Sequence, residues 1–168
     1  MEPNRRYLDE GSGKHLPKRE LDYSFNDRIV LGVGAFIFSI ATNRYLFLLR
    51  DGAKYAGYWG LVGGKVEHNE LVMDALNREI QEEIGINLRN KKVVPIDTFT
   101  NDNRLFTFHT FFISVGTEFV PTLNTESKGY CWVNLADVPH PLHPGVWKTY
   151  NFSVIQEKLK IAEQLSRI

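Results

Sequence analysis

The sequence predicts an α/β fold in which a mixed sheet lies between layers of helix. Two strand-like segments precede one strongly helical segment at residues 70–84, three more follow it, and an amphipathic segment closes the chain at residues 151–168. Strands on both sides of a central helix, with a second helix at the end, favour one layered domain over separate α and β units.

The two strands before the helix are predicted to form a hairpin. Residues 29–40 are rich in Val, Ile, Phe and Gly, which is typical of a buried strand. A turn at residues 41–44 leads into residues 45–50, which are predicted to be the returning strand. Residues 57–64 contain four glycines, so this segment is expected to be irregular.

The central helix is the clearest element of the chain. Its apolar residues recur at spacings of three and four, and Gly85 is well placed to end it. Ala75 lies one turn before Glu79 and is expected to leave space for a ligand. The stripe predicted to anchor the helix on the sheet consists of Met73, Leu76, Ile80 and Ile84. The strands predicted after the helix span residues 93–100, 105–117 and 129–134.

Length and charge limit the classes of function. A chain of 168 residues suits one domain, and we expect an N-terminal arm at residues 1–26 and a single domain at residues 27–168. Lys plus Arg and Asp plus Glu number 20 each, so the net charge is zero. This balance disfavours a long nucleic acid as partner, since phosphate contacts need a basic surface. A small phosphate-bearing ligand needs only a local site.

A cytoplasmic location with no membrane partner is the expectation. The N-terminal residues lack the apolar core of a secretory leader. The longest apolar stretch, residues 29–40, is shorter than the roughly 20 residues that span a bilayer. Cys131 is the only cysteine, so no internal disulfide forms, and we expect a buried, inert thiol.

Three carboxylates occupy one side of the predicted helix. Glu79, Glu82 and Glu83 stand at positions i, i+3 and i+4, so their side chains neighbour one another. Like charges at this spacing repel, and clustered glutamates usually form a solvated face. A hard divalent cation such as Mg²⁺ would offset the repulsion, because it takes carboxylate oxygens and is commonly shared with substrate phosphates.

The segment before the helix adds groups suited to such a site. Gly63 and Gly64 allow tight backbone turns that can aim a carbonyl at a cation or an amide at a phosphate. Glu70 lies at the predicted helix start, where a negative charge suits the helix dipole. Arg78 is expected to pair with Glu70 or another nearby acid and to brace the loop against the helix.

Together these residues form a recognisable pattern. Residues 64–86 run Gly-x5-Glu-x7-Arg-Glu-Ile-x-Glu-Glu-x-Gly-Ile. This pattern resembles the Nudix box at every defining position. The hairpin upstream and the strand-like Tyr-Cys-Trp-Val run at residues 130–133 also fall where the α/β/α sandwich of that family would place them. One departure is Val62, where many members have proline.

The resemblance implies a hydrolase that holds Mg²⁺, or Mn²⁺ in its place, on the diphosphate of its substrate. It implies that Glu79, Glu82 and Glu83 bind the metal, with a carbonyl of Gly63 or Gly64 as a further ligand. Arg78 and Glu70 are implied to form the bracing ion pair of the motif. The general base is implied to be either Glu79 or an acid outside the box.

Glu126 is our candidate for that outside acid. It precedes the strand predicted at residues 129–134, where this family often carries a metal-linked or catalytic glutamate. A plain surface glutamate in a loop is the alternative. Both candidates for the base therefore stay open at the level of the sequence.

The substrate implied by the resemblance is a nucleoside diphosphate derivative. A nucleotide sugar, a dinucleoside polyphosphate and a nucleoside triphosphate all remain open, and a capped RNA end is least favoured by the neutral charge. Candidate substrate contacts are Tyr58 and Phe106 for a base and His143 for a phosphate, although aromatic residues more often serve packing. Residues 139–145 form either a rigid loop that closes over the site or a connector to the last helix.

Other classes of protein make different demands on the sequence. A catalytically silent Nudix module that binds a nucleotide would tolerate a degraded acid set, whereas all three box glutamates are intact. An isopentenyl diphosphate isomerase would need a catalytic cysteine against the metal site, and Cys131 gives little support for one. A homodimer is also an expectation by analogy with the family, with the N-terminal arm as one candidate contact.

Overall fold

The computed structural model describes residues 29–52 and 54–168. The N-terminal arm expected at residues 1–26 lies outside the described residues. In the described ranges the strands are β1 (Val30–Ser39), β2 (Arg44–Arg50), β3 (Trp59–Gly60), β4 (Val62–Lys65), β5 (Val93–Thr100), β6 (Phe106–Val115) and β7 (Ser127–Val133). The helices there are α1 (Val72–Ile84), α2 (Pro144–Asn151) and α3 (Ser153–Ser166), with a 3₁₀ turn at Leu135–Asp137. None of these helices is long and apolar enough to cross a bilayer.

The strands form one mixed sheet, as the sequence predicts. Its main order is β3-β2-β1-β6-β5, while β4 pairs with β1 and β7 pairs with β2. β1 and β6 run parallel along their whole length, and all other pairs are antiparallel. The predicted hairpin of β1 and β2 is confirmed by the pairing of Ile37 with Leu46. β1 therefore lies at the centre of the sheet, with neighbours along both edges.

Two hydrophobic cores lie on opposite faces of this sheet. Alternate residues of β1 enter different cores, since successive side chains of a strand point to opposite faces. Val33 and Ile37 pack in the core beneath α1, whereas Phe36 and Phe38 pack in the core beneath α3. All four side chains are fully buried. The result is an α/β/α sandwich, which confirms the fold class expected from the sequence.

The glycine-rich stretch at residues 57–64 is more regular than expected. Instead of an irregular loop it supplies β3 and the first three residues of β4. Close packing explains why glycine is needed there: a Cβ on Gly63 would lie 2.1 Å from the carbonyl oxygen of Val33 on β1. The glycines let β4 approach β1 closely, and the backbone pairing supplies the regularity that composition did not indicate.

The helical stripe was predicted with one residue wrong. Leu76, Ile80 and Ile84 are buried as expected, but Met73 is 44% exposed. Ala75 takes its place in the core and is fully buried, so it does not leave space for a ligand. The helix also begins at Val72, two residues later than the predicted start, so that Glu70 precedes the helix.

Residues 139–145 lead into an additional helix that the sequence did not predict. α2 begins at Pro144, and the ring of His143 caps it by accepting a 3.0 Å hydrogen bond from the amide of Gly145 at Nδ1. The segment before it is fastened to β3, since the amide of His143 donates to the carbonyl of Trp59 at 2.7 Å. The last helix accordingly begins at Ser153 rather than residue 151.

Cys131 lies in β7 and is only half-buried, so the expectation of a fully buried thiol is wrong. It pairs with Phe47 of β2 and packs at the margin of the core beneath α3. Desolvation raises the pKa of its thiol, which disfavours the reactive thiolate.

Candidate active site

Three carboxylates from two separate segments meet beside the C-terminal half of α1. Glu79 and Glu83 project from α1, and Glu126 comes from the residues just before β7. One ligand oxygen of each lies within 4.8 Å of the others. Glu79 and Glu83 are only 7% and 5% exposed, whereas Glu126 is exposed. The cluster therefore has a buried floor of two carboxylates and one side open to solvent.

Glu83 is the most deeply placed of the three. Its Oε1 accepts a 2.8 Å hydrogen bond from the backbone amide of Gly63 in β4. Burial nevertheless raises the pKa of Glu83 to about 8, and the negative charges of Glu79 and Glu126 act in the same direction. A buried carboxylate beside two others is a group that gains from a bound cation, because a cation restores its charged form.

Glu79 lies directly over Gly64. A Cβ on Gly64 would stand 2.4 Å from the carboxyl carbon of Glu79, so the absence of a side chain there makes room for this carboxylate. Burial raises the pKa of Glu79, while Arg78, which donates from Nη1 to Oε1 at 2.9 Å, lowers it. Gly63 and Gly64 thus serve the cluster in different ways, one by donating a hydrogen bond and the other by leaving space.

Arg78 connects the segment before α1 to the carboxylates. Its Nε and Nη2 donate to both oxygens of Glu70 at 2.8 and 2.9 Å, which forms the ion pair that the sequence led us to expect. Nη2 also donates to the carbonyl of Lys65 at 2.8 Å. The hydrogen bonds from Arg78, and a further one from the amide of Glu67, hold the pKa of Glu70 at about 2. The bidentate geometry fixes β4 and the following loop relative to the helix.

Glu82 lies outside the cluster that the other two box glutamates form with Glu126. Its side chain is 54% exposed and contacts Nη1 of Arg78 at 3.3 Å. The helical rotation of about 100° per residue places Glu82 and Glu83 on opposite sides of Glu79. Since the core lies on the Glu83 side, the expected single face of three acids is divided between a buried pair and an outer residue.

Backbone contacts hold Glu126 at the end of β2. The amide of Asp51 donates to the carbonyl of Glu126 at 2.8 Å, and the side chain of Asn124 accepts from the amide of Glu126 at 3.0 Å. The strand that follows, β7, pairs with β2 with a register shift opposite Leu49 and Arg50. This irregularity places an acid from beyond the box next to Glu79 and Glu83.

The residues proposed to contact substrate fall into two groups. Tyr58 and His143 both pack against Tyr55, with ring centroids 5.5 and 4.5 Å away. Phe106 lies elsewhere, on β6, where its ring stacks on Phe108 at 6.2 Å. Tyr58 and His143 therefore form one aromatic cluster with Tyr55, whereas Phe106 belongs to a separate aromatic surface.

That second surface covers the sheet behind the glycines of β4. The ring of Phe108 lies so close to Gly32 and Gly34 that a Cβ on either would approach it within 3.0 Å. These two glycines of β1 are the partners of Lys65 and Gly63 on β4. The aromatic surface and the carboxylates are thus separated by the sheet itself, with β1 and β4 between them.

Sequence reasoning missed Arg50, the last residue of β2. Its charge lowers the pKa of both Glu83 and His143, so it lies near the carboxylates and near the aromatic cluster. The alternation of β2 was the available signal: Leu46 and Leu48 face α1, and the next residue of that series is Arg50. A charged residue continuing a buried series marks a point where the core ends and a site begins.

The donor set of the cluster fits a hard divalent cation. It offers carboxylate oxygens alone, from Glu79, Glu83 and Glu126, and two of these groups are buried among other negative charges. Mg²⁺ and Mn²⁺ favour such oxygen ligands and leave coordination positions for phosphate or water. The soft ligands that would favour other metals are not part of this cluster.

Comparison with known proteins identifies the family. The family model for the NUDIX domain matches residues 29–152, which include all of the sheet and α1. The chain belongs to the Nudix family and is a Nudix pyrophosphohydrolase.

Two similar proteins of known sequence carry the name nucleoside triphosphatase NudI. The one from Escherichia fergusonii is 34% identical over 99 residues, covering 52% of this chain and 70% of its own. The one from Escherichia coli O139:H28 is 33% identical over 101 residues, covering 54% of this chain and 71% of its own.

Solved structures share the fold. A MutT NUDIX hydrolase from Burkholderia pseudomallei has 27% identity and a TM-score of 0.56, covering 76% of this chain and 95% of its own. The NUDIX domain of Shewanella oneidensis NrtR, solved with ADP ribose, has 18% identity and a TM-score of 0.63, covering 78% and 88%. A C. elegans Ap4A hydrolase has 16% identity and a TM-score of 0.59, covering 78% and 97%.

Proposed function

We propose that the protein hydrolyses a phosphoanhydride bond of a nucleoside diphosphate derivative, with Mg²⁺ or Mn²⁺ as cofactor. A nucleoside triphosphate is the favoured substrate class. The observation that carries the proposal is the convergence of Glu79, Glu83 and Glu126, two of them buried, beside the C-terminal half of the box helix. Buried like charges at this separation need a cation, and phosphates need the same cation.

The geometry of β4 and α1 supports a proposed set of metal-holding residues. Glu79, Glu83 and Glu126 supply carboxylate oxygens, and Glu82 stands further out, where it can reach a second cation or a water of the first. The amide of Gly63 points to Glu83 rather than to β1. Because the carbonyl of an extended residue points to the same side as its amide, this arrangement supports the Gly63 carbonyl as a further ligand.

A divalent cation held there supplies positive charge that neutralises the phosphates and activates a water. The residues of the chain then have to accept a proton from that water, and two carboxylates can do so. Glu126 is exposed and can be approached from solvent, while Glu79 is buried with Oε1 engaged by Arg78. The pH dependence of turnover in Glu126→Gln and Glu79→Gln distinguishes them, since the variant lacking the base loses the acidic limb.

The substrate class rests on the similar proteins of known sequence. Both carry the name nucleoside triphosphatase, and each aligns over about 100 residues with this chain. The structures named for Ap4A and ADP ribose are below 25% identical to this chain and support the fold alone. A nucleotide sugar and a dinucleoside polyphosphate therefore stay as alternatives within the same chemistry.

The surface formed by Phe106 and Phe108 is one candidate for stacking a nucleobase, but it is reached only around the edge of the sheet, since β1 and β4 separate it from the carboxylates. The two rings are nearly parallel, at 25°, and Phe99 lies beside them with 51% of its surface exposed. Half-exposed aromatic faces of this kind favour a planar ligand. Tyr58 is the favoured candidate, because Arg50 lies near its cluster with Tyr55 and His143 and also near Glu83.

The proposal is tested with a panel of nucleoside triphosphates, GDP-mannose, diadenosine polyphosphates and ADP-ribose, each incubated with Mg²⁺ or EDTA beside the Glu83→Gln variant. We expect Mg²⁺-dependent release of pyrophosphate from a nucleoside triphosphate, lost in Glu83→Gln and in EDTA. Cleavage of another panel member would reassign the substrate, and turnover unaffected by EDTA would exclude the metal. The homodimer and the cytoplasmic location stay predictions; light scattering tests the first.

A further inference from the structure

Arg50 stands where the carboxylates and the aromatic cluster meet. It ends β2 on the face that Leu46 and Leu48 direct toward α1. Its aliphatic stem crosses Gly60, where a Cβ would lie 3.5 Å from the Arg50 Cδ. Its own amide donates to the carbonyl of Tyr58 at 2.9 Å. The guanidinium is therefore carried past the end of the core and toward the site.

The guanidinium has unused hydrogen-bonding capacity. Nε and Nη2 each lie 3.3 Å from the carbonyl of Lys54, which is a weak, shared contact. Among residues 29–52 and 54–168, Arg50 forms no ion pair within 4.0 Å, although it is close enough to Glu83 for its charge to act on that carboxylate. A half-buried arginine with free N–H groups beside a cation site is suited to bind an oxyanion, since its planar fork matches phosphate geometry.

His143 supplies a second donor close by: its ring packs against Tyr55, which follows Lys54, whose carbonyl contacts Arg50. Its Nδ1 accepts from the amide of Gly145, so the neutral ring carries its proton on Nε2. Burial and the charge of Arg50 lower the pKa of His143, which keeps the ring neutral. The backbone of Trp59 holds the residue through a 2.7 Å hydrogen bond, and Trp59 itself pairs with Leu49, the neighbour of Arg50 in β2.

We propose that Arg50 and the Nε2–H of His143 form an oxyanion subsite for the terminal phosphates of the substrate, beyond the phosphate held at the carboxylates. This inference rests on the proposed function and deepens it. The carboxylates and their cation take one end of the phosphate chain, and the Arg50–His143 subsite takes the other. Arg50 thereby distinguishes a triphosphate from a monophosphate, since only the longer phosphate chain reaches both the cation at the carboxylates and the Arg50–His143 subsite.

The test measures binding, so that it does not depend on turnover. The α,β-imido analogue of dTTP and dTMP are titrated into the wild type, Arg50→Gln and Arg50→Lys in Mg²⁺, and Mn²⁺ alone is titrated into each. We expect Arg50→Gln to weaken binding of the analogue by about 10- to 100-fold, which is the usual effect of losing a hydrogen bond to a charged group. Binding of dTMP and of Mn²⁺ is not weakened. Arg50→Lys recovers only part of the loss, because an ammonium lacks the planar fork.

Lys128→Gln is the matched control. Lys128 is a nearby cation, 3.6 Å from Asp51 and half exposed, and its removal changes the local charge without touching the subsite. We expect it to bind the analogue almost as the wild type does. His143→Ala should weaken the analogue and couple with Arg50→Gln in a double-mutant cycle.

Three results would overturn the subsite. Unchanged analogue binding in a folded Arg50→Gln, with tighter Mn²⁺ binding, would mean that Arg50 only offsets the charge of the carboxylates. Equal weakening of the analogue and dTMP would place Arg50 at the first phosphate instead. An equal loss of analogue affinity in Lys128→Gln would mean that Arg50 acts only through the overall positive charge near the site. Failure of the proposed hydrolysis is a separate result, visible as an inactive wild type that still binds the analogue through Arg50.

Discussion

The backbone amide of Gly63 donates a 2.8 Å hydrogen bond to Oε1 of Glu83, so strand β4 and helix α1 are joined inside the carboxylate cluster. This hydrogen bond favours the ionised form of Glu83, but burial outweighs it and raises the pKa of Glu83 to about 8. The protein therefore folds around a carboxylate that is poorly accommodated until a cation arrives. The stability of the protein should therefore depend on pH and on bound metal.

Stability of the metal-free protein should fall as pH rises from about 4.5 to about 8. Glu83 has a pKa of about 8 in the folded state against an ordinary value of 4.5, so the folded state holds a proton that the unfolded state has lost. The stabilisation is complete below pH 4.5 and is lost as pH rises through 8. Denaturant unfolding in EDTA at several pH values measures it.

Glu83→Gln removes the contribution of Glu83 and leaves the other titrating groups in place. Burial lowers the pKa of His143 below its ordinary value of 6.5. Stability therefore rises with pH as this group titrates below pH 6.5, which opposes the effect of Glu83 there. The range above pH 7 is the informative one for Glu83. There the wild type should lose stability with pH more steeply than Glu83→Gln, in which Glu79 is the remaining cluster carboxylate with a raised pKa. Addition of Mg²⁺ should stabilise the wild type much more than Glu83→Gln, which keeps only two of the three carboxylates. Parallel pH curves for both proteins would contradict the assignment.

Gly64→Ala should abolish most activity while the fold persists. The added methyl group would stand 2.4 Å from the carboxyl carbon of Glu79 and force that carboxylate to move. A displacement of about 1 Å at a reacting group reduces turnover by about 100-fold. Gly116→Ala is the control, because a Cβ there meets nothing within 4 Å. Equal turnover in both alanine variants, measured as pyrophosphate release, would show that Glu79 needs no such clearance.

Arg78→Lys should reduce activity although the charge is kept. A lysine cannot donate to Glu70, Glu79 and the carbonyl of Lys65 at once, as the guanidinium does. Mutation of the residues that support metal ligands usually lowers metal affinity or activity by about 10- to 100-fold. We expect a loss in that range for kcat and for Mn²⁺ affinity. Arg44→Lys, at the remote ion pair with Glu118, serves as control. Wild-type kcat in Arg78→Lys would mean that charge alone suffices.

Leu76→Ala should destabilise the protein far more than Met73→Ala. Leu76 is fully buried beneath α1, whereas Met73 is 44% exposed although it belongs to the same apparent stripe. Truncation of a buried leucine costs about 2–5 kcal/mol. Urea unfolding of the two variants gives the comparison directly. Similar losses would place Met73 in the core after all.

The fold and most of the acid cluster could be predicted from the sequence because they depend on local patterns. β1 is apolar along its length since it packs on both faces, and the box spacing carries the positions of Glu79 and Glu83. The stripe on α1 was wrong at Met73 because this residue, although it points in the same direction round the helix as Ile80 and Ile84, lies in the first turn, where the side chain is 44% exposed. Ala75, small and easily overlooked, belongs to the buried face at its margin, next to Glu79.

The remaining features depend on contacts between distant segments. Arg50 gains its neighbours only through the pairing of β2 with β7 and with β3, which brings up Glu126 and His143 from far along the chain. α2 has no buried residues, so its sequence lacks the apolar periodicity from which a helix is recognised. Pro144 at its first turn was the one available signal.

Binding of Mn²⁺ to Glu126→Gln and Glu82→Gln, by calorimetry or electron paramagnetic resonance, tests the central claim most directly. The claim is that a divalent cation is held by Glu79, Glu83 and Glu126, whose oxygens lie within 4.8 Å. We predict that Glu126→Gln weakens the first Mn²⁺ by about tenfold or more, as expected for loss of a charged ligand, while Glu82→Gln weakens it much less. A larger loss in Glu82→Gln, or wild-type affinity in Glu126→Gln, would contradict this assignment of the cation site.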